Sequence, residues 1–178
     1  MNASDPIVYL NGRFVPLSGA QVSVLDRGFI FAIAHIRGGK DKGYRWYTGG
    51  KHKTKLNTFR DFIAAGEFLV EKGFTRRGRI VANGGSAGGM LMGAVANMAP
   101  DLFAGIIADV PFVDAVNTML DGDPPLTPPE WPEWGNPNEK KAWDYMITYS
   151  PYENIKAQNY PNMLIEVSLN DSQVPYWE

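Results

Sequence analysis

Ser86 stands among four glycines in "VANGGSAGGMLMG", between an apolar run ending at Ala82 and another beginning at Met90. Glycines at 84, 85, 88 and 89 let backbone pass close to backbone at a corner where a side chain would intrude. The order apolar run, glycine-rich turn, apolar run predicts a strand that enters a helix, with Ser86 at the junction. On an α/β sheet, a Gly-x-Ser-x-Gly corner forces its serine into a strained conformation that lifts Oγ above the sheet. The N–H of Ala87 and the positive end of the helix dipole would face the same spot. Ser86 is therefore the expected nucleophile and Ala87 the expected oxyanion donor; a phosphate cradle or simple close packing is the alternative use of such glycines.

The rest of the chain supplies a sheet for that corner. A chain of 178 residues fits one domain and buries about 70% of the surface its unfolded form exposes. Upstream, "IVYLNGRFVPLSG" is two short apolar runs joined by Asn11-Gly12, a pair suited to a tight hairpin turn. From about residue 28 the pattern alternates. "FIFAIAHI" (Phe29 to Ile36) predicts a strand buried on both faces. "NTFRDFIAAGEFLVEKG" predicts a helix with Phe59, Phe62, Ile63, Leu69 and Val70 on one face, Asn57 as N-cap and Gly73 just past its end. "GRIVANG", "AGIIADVPF" and "NMLIEVSLND" read as further strands, the last after a Pro/Trp-rich insertion. This order predicts an α/β fold with a doubly wound, mostly parallel sheet, preceded by the hairpin.

A serine nucleophile needs a base, and the base needs an orienting acid. In α/β-hydrolases the acid follows the serine in the chain and the histidine comes last. Asp171, just past the fourth predicted strand, has the right place for the acid. The two histidines, His35 and His52, both precede Ser86, and an ordinary structural role is expected for each. Asp101, Asp109 and Asp114 offer no histidine or dense carboxylate loop, so no metal site is expected, and caps and turns explain them. Trp131, Trp134 and Trp143 could wall a pocket or cover an edge; packing is the expected role. The net charge of −2 carries no basic field for nucleic acid or an anionic membrane. With no cysteine and no long apolar stretch or signal peptide, a cytoplasmic protein is expected.

Several segments together carry a family resemblance. From about Leu25 to Glu178, "LDRGFIFAIAHIRGG", "NTFRDFI", "GGSAGGMLMGAV", "DLFAGIIADVPFVDAVNTMLD", "EWGNP", "YSPYENI" and "DSQVPYWE" resemble the catalytic domain of oligopeptidase B, of the prolyl oligopeptidase family of serine peptidases. The resemblance implies an α/β-hydrolase fold with Ser86 as nucleophile and Asp171 as triad acid. It also implies cleavage of short peptides after Arg or Lys, with no cofactor. The family's acidic pair for the basic side chain falls in "PPEWPEWGNP": Glu130 matches the first member, Pro132 occupies the second position, and Glu133 follows one step on. Arg37 in "HIRGG" is expected to be structural.

Measured against that family, the chain is expected to be partial. The catalytic histidine would lie beyond the "DSQV" segment, the second oxyanion donor upstream of "LDRGF", and the access-limiting β-propeller is not represented. Weak or absent peptidase activity is therefore expected, with a non-catalytic α/β domain as the alternative. A truncated sheet edge would also favour self-association. The first residues resemble another family: "IVYLNGRFVPLSGAQVSVLDRGF" is similar to the start of fold-type IV, pyridoxal-phosphate-dependent aminotransferases. The expected organisation is a hairpin segment of foreign character over 1–27 and a partial peptidase domain over 28–178. No lysine stands in an aminotransferase motif, and Lys51, Lys53 and Lys55 read as a solvated basic loop.

Overall fold

A computed structural model describes residues 7–10, 13–16, 30–123 and 126–177. The chain divides into two compact units, Met1–Ala32 and Ile33–Glu178. In the first, β1 (Ile7–Leu10) pairs antiparallel with β2 (Arg13–Pro16), with Ile7 opposite Pro16 and Leu10 opposite Arg13. The register leaves two residues between the strands, as a hairpin requires; the Asn11-Gly12 turn itself lies outside the described residues.

The second unit is built on a three-stranded parallel sheet in the order β3-β4-β5: β3 is Ile80–Gly85, β4 Phe103–Asp109 and β5 Asn162–Glu166. The β3–β4 register runs from Val81 opposite Gly105 to Gly85 opposite Asp109, and the β4–β5 register ends with Asp109 opposite Glu166. The C-terminal ends of all three strands therefore finish at one level. In open α/β sheets that is where sites are built.

Between β3 and β4 runs α3 (Ala87–Met98), with eight of its twelve residues buried. Met90, Met92 and Val95 are fully enclosed and join Ile106, Leu102 and Phe59 in the core. A helix this apolar all round can exist only inside a core. The longer α2 (Leu56–Glu71) packs on α3. Its expected apolar face is present: Phe59 is buried against Tyr149, and Phe62 stacks on Phe103. Gly73, at φ +75°, ends the helix as expected. Asn57, by contrast, does not cap it. The helix begins at Leu56, and the Asn57 amide donates instead to the Gly49 carbonyl at 2.9 Å.

The insertion between β4 and β5 forms three short helices, α4 (Ala115–Leu120), α5 (Thr127–Trp134) and α6 (Lys140–Met146). A further one, α1 (Tyr44–Thr48), precedes α2.

The apolar run at 30–36 is not a strand, which corrects the expectation from its composition. A parallel strand has no local partner, because all its ladder bonds go to distant chain. His35 O accepts from the Trp46 indole at 3.1 Å and Ile36 N–H donates to Ala34 O; just past the run, Gly38 N–H donates to Trp46 O. Ile33 is left 70% exposed.

Arg37, just past the run, is bound to α2. Its Nε and Nη2 donate to the two oxygens of Asp61 at 2.7 and 2.6 Å, and its backbone N–H adds a third bond at 3.0 Å. These bonds hold the Asp61 carboxyl below the usual carboxylate range. A depressed pKa stabilises the fold above the unfolded value, about 4, and the contribution disappears as pH falls through the folded value. Asp61→Asn should cost about 1–2 kcal/mol near neutral pH. In urea unfolding, its deficit against wild type should narrow as the pH is taken below about 4; a deficit independent of pH would contradict the ion pair.

Candidate active site

Ser86 occupies the corner between β3 and α3 with φ +55° and ψ −118°. A non-glycine residue there is strained by about 1–3 kcal/mol and persists only where its surroundings over-determine it. Four backbone bonds do so. Ser86 N–H donates to Asp109 O at 2.9 Å, while Ser86 O accepts from Gly89, Met90 and Phe112 N–H at 2.8, 3.1 and 3.2 Å. The corner is closed by a second strained residue, Val110 at φ +39°, whose N–H donates to Glu166 O at 2.7 Å. All three strand ends thus converge on the serine.

Glycine is required at two of the four positions around it. A Cβ on Gly84 would strike the Gly88 carbonyl oxygen, and one on Gly89 would strike Pro111 Cα. At Gly88 a Cβ would meet nothing within 4 Å. The side chain of Ser86 is exposed, and Ala87 is the first residue of α3, so its N–H belongs to the turn whose amides have no intrahelical acceptor.

Ser86 and Ala87 open on a surface pocket. Phe112, Met119 and Trp134 give it apolar walls, Glu130 brings a carboxylate, and Gln173 and Val174 close one side. Trp134, 3% exposed, packs against Phe112 at 5.6 Å between centroids and donates its indole N–H to Glu130 Oε2 at 2.6 Å. Trp131 donates to Met119 O, and Trp143 is exposed.

Asp171 lies in the loop after β5. Its Oδ1 accepts the backbone N–H groups of Val174 at 3.0 Å and Gln173 at 2.8 Å, which hold its carboxyl below the ordinary range. The acid thereby shapes the turn that walls the pocket. Glu133 is directed elsewhere: it lines no part of the pocket, and its oxygens meet Tyr47 and Lys55.

Neither histidine lines the pocket. His35 Nδ1 sits 3.2 Å from Asp41, and the His52 ring nitrogen meets the Pro132 carbonyl. The three aspartates considered for a metal go to separate partners, Asp101 to Arg77, Asp109 to Asn83 and Asp114 to Asn117. Lys55 is a correction. It is only 7% exposed, not part of a solvated loop, because its ammonium is drawn inward by Glu133.

A strained serine at the strand-to-helix corner of a parallel sheet, beside a pocket, is the arrangement of the α/β-hydrolase fold. The chain belongs to the prolyl oligopeptidase family of serine peptidases, whose family model matches residues 16–178. It is 55% identical over 157 residues to "Dipeptidyl aminopeptidase BI" of Pseudoxanthomonas mexicana, covering 88% of this chain and 22% of that protein. It is 49% identical over 175 residues to "Protease 2" of Moraxella lacunata, covering 98% of this chain and 24% of that protein. Among solved structures, oligopeptidase B from Leishmania major superposes with a TM-score of 0.79 at 56% identity, over 81% of this chain and 20% of that one. The resemblance to oligopeptidase B therefore holds, and the chain spans 20–24% of the length of these relatives. Among the described residues, no helix is long and apolar enough to cross a membrane.

Proposed function

We propose that this chain carries the nucleophile, one oxyanion donor and the side-chain pocket of a peptidase that cleaves short peptides after Lys or Arg. The observation that carries the reading is the strained Ser86 opening on a pocket whose carboxylate is Glu130. Ser86 Oγ attacks the scissile carbonyl and gives its proton to a base; the carbonyl oxygen, now an oxyanion, takes the Ala87 N–H. Collapse expels the amine, which receives that proton, and water then releases the acyl group. Asp171 is the acid that orients the base. The base is an imidazole that neither His35 nor His52 provides in these positions, so turnover depends on one supplied from elsewhere.

Glu130 sets how the pocket reads a cation. One of its oxygens is taken by the Trp134 indole, and Pro132 stands where a second acid would be. A guanidinium needs two acceptor oxygens for its bidentate grip, while an ammonium is served by one. N-acetyl-lysinamide and N-acetyl-argininamide should therefore bind within about threefold of each other, and Glu130→Gln should weaken both by about tenfold or more. Titration calorimetry decides: equal affinity of Glu130→Gln and wild type would remove Glu130 from the pocket's function.

A further inference from the structure

The wall of the Ser86 pocket is held from behind by a cation that the reaction does not use. Lys55 Nζ lies 3.8 Å from a Glu133 oxygen and 4.4 Å from the centroid of the Trp134 ring. The other Glu133 oxygen accepts the Tyr47 hydroxyl at 2.9 Å, and the Lys51 ammonium donates to that same Tyr47 oxygen at 3.1 Å. Burial pushes the Lys55 ammonium down from the ordinary lysine range, against the pull of Glu133.

As a source of stability this arrangement is poor. Taking an ammonium out of water is costly, and buried ion pairs often gain nothing over an apolar pair of similar size. Its geometry has another use. Helix α5 carries Pro128, Pro129 and Pro132, and Pro132 has no N–H to give to the carbonyl four residues back. The helix is instead tied from outside: Thr127 Oγ1 and the Trp131 indole donate to the carbonyls of Thr118 and Met119, and the Tyr145 hydroxyl donates to Trp134 O. Those ties fix the backbone of α5 and one side of Trp131. The ring of Trp134 is fixed by Phe112, by Glu130 and by Lys55, and Lys55 is the one of the three that comes from outside the pocket lining.

We propose that Lys55 is a positioning residue for the Ser86 pocket: held by Glu133, its ammonium sits on the Trp134 ring and keeps the indole N–H on Glu130. The carboxylate then presents one fixed oxygen to the pocket. The proposal rests on the pocket being a substrate site, but its test needs no turnover.

The test uses the ¹⁵N-labelled 178-residue chain, with the Trp134 indole resonance assigned by its loss in Trp134→Phe. Hydrogen exchange of that indole N–H is followed together with the β4 amides of Ile106 and Ile107, which report the fold. Lys55→Met should speed indole exchange by about tenfold or more while the β4 amides stay within about threefold. Lys55→Arg should restore the indole to within about threefold of wild type, because a cation again covers the ring. Glu133→Gln should act in the same direction as Lys55→Met. Indole exchange within about twofold of wild type in folded Lys55→Met would overturn the proposal. If Lys55→Met loses β4 protection, unchanged exchange in Glu133→Gln overturns it instead. N-acetyl-lysinamide should also bind Lys55→Met about fivefold or more weakly. Failure of wild type to bind that amide would overturn the function proposed for the pocket, whereas the indole measurement would still decide the role of Lys55.

Discussion

Gly84→Ala should cost the fold about 3 kcal/mol or more, and Gly84→Val should fail to fold. The last residues of β3 pass the first turn of α3 so closely that a Cβ at 84 falls on the Gly88 carbonyl oxygen and 2.8 Å from its carbon. Neither atom belongs to a side chain that can swing away. Relief would require moving β3 against β4 or lifting α3, whose Met90, Met92 and Val95 are fully buried. Overpacking a core with a movable neighbour costs about 1–3 kcal/mol; a clash of backbone on backbone lies at or above the top of that range. A domain of this kind has about 5–15 kcal/mol in total. Gly88→Ala is the control from the same motif. It adds a methyl to open space within α3 and should be neutral or stabilising by up to about 1 kcal/mol. Thermal unfolding of the two alanine variants should therefore differ by about 10 °C or more. A Gly84→Ala variant that melts within about 3 °C of wild type would show that the corner is not packed as described.

The second large effect concerns rate. Hydrolysis of a lysine or arginine amide by the chain on its own should reach no more than about 10³–10⁴ over water, the residue left by binding and an oxyanion donor when a triad member is missing. Ser86 cannot lose its proton to an imidazole held against Asp41 or the Pro132 carbonyl. Two consequences follow from the same cause. The rate should show no inflection near pH 6.5, where a histidine base would titrate, and Ser86→Ala should lower it by less than about tenfold. A rate well above that range, with a histidine inflection, would mean that His35 or His52 leaves its partner and reaches the serine.

The elements nearest the serine were the most legible in the sequence. β3, α3, β4 and β5 are apolar runs of the right lengths, and the glycine spacing around Ser86 states a close approach that the structure contains at Gly84 and Gly89. What the sequence hid depends on distant partners. The run at 30–36 has strand composition, but nothing local tells a parallel strand where its neighbour is. Asn57 is a good N-cap residue by type, and its amide found a nearer acceptor in Gly49 O. Lys55 sits in a run of cations that reads as solvated, and only the fold brings Glu133 and Trp134 to it from nearly eighty residues away. Val110 carried no signal at all. It is β-branched and precedes a proline, and both features argue against the positive φ it adopts beside Ser86.

We propose that Ser86 is a preformed nucleophile whose base neither His35 nor His52 supplies. The most direct measurement is labelling of the 178-residue chain with a fluorophosphonate, with and without added imidazole, and the modified residue read by peptide mass spectrometry. Label should accumulate on Ser86, faster as imidazole is raised, and disappear in Ser86→Ala. Label spread over other serines such as Ser168 and Ser172, or a Ser86 that imidazole does not accelerate, would contradict the account.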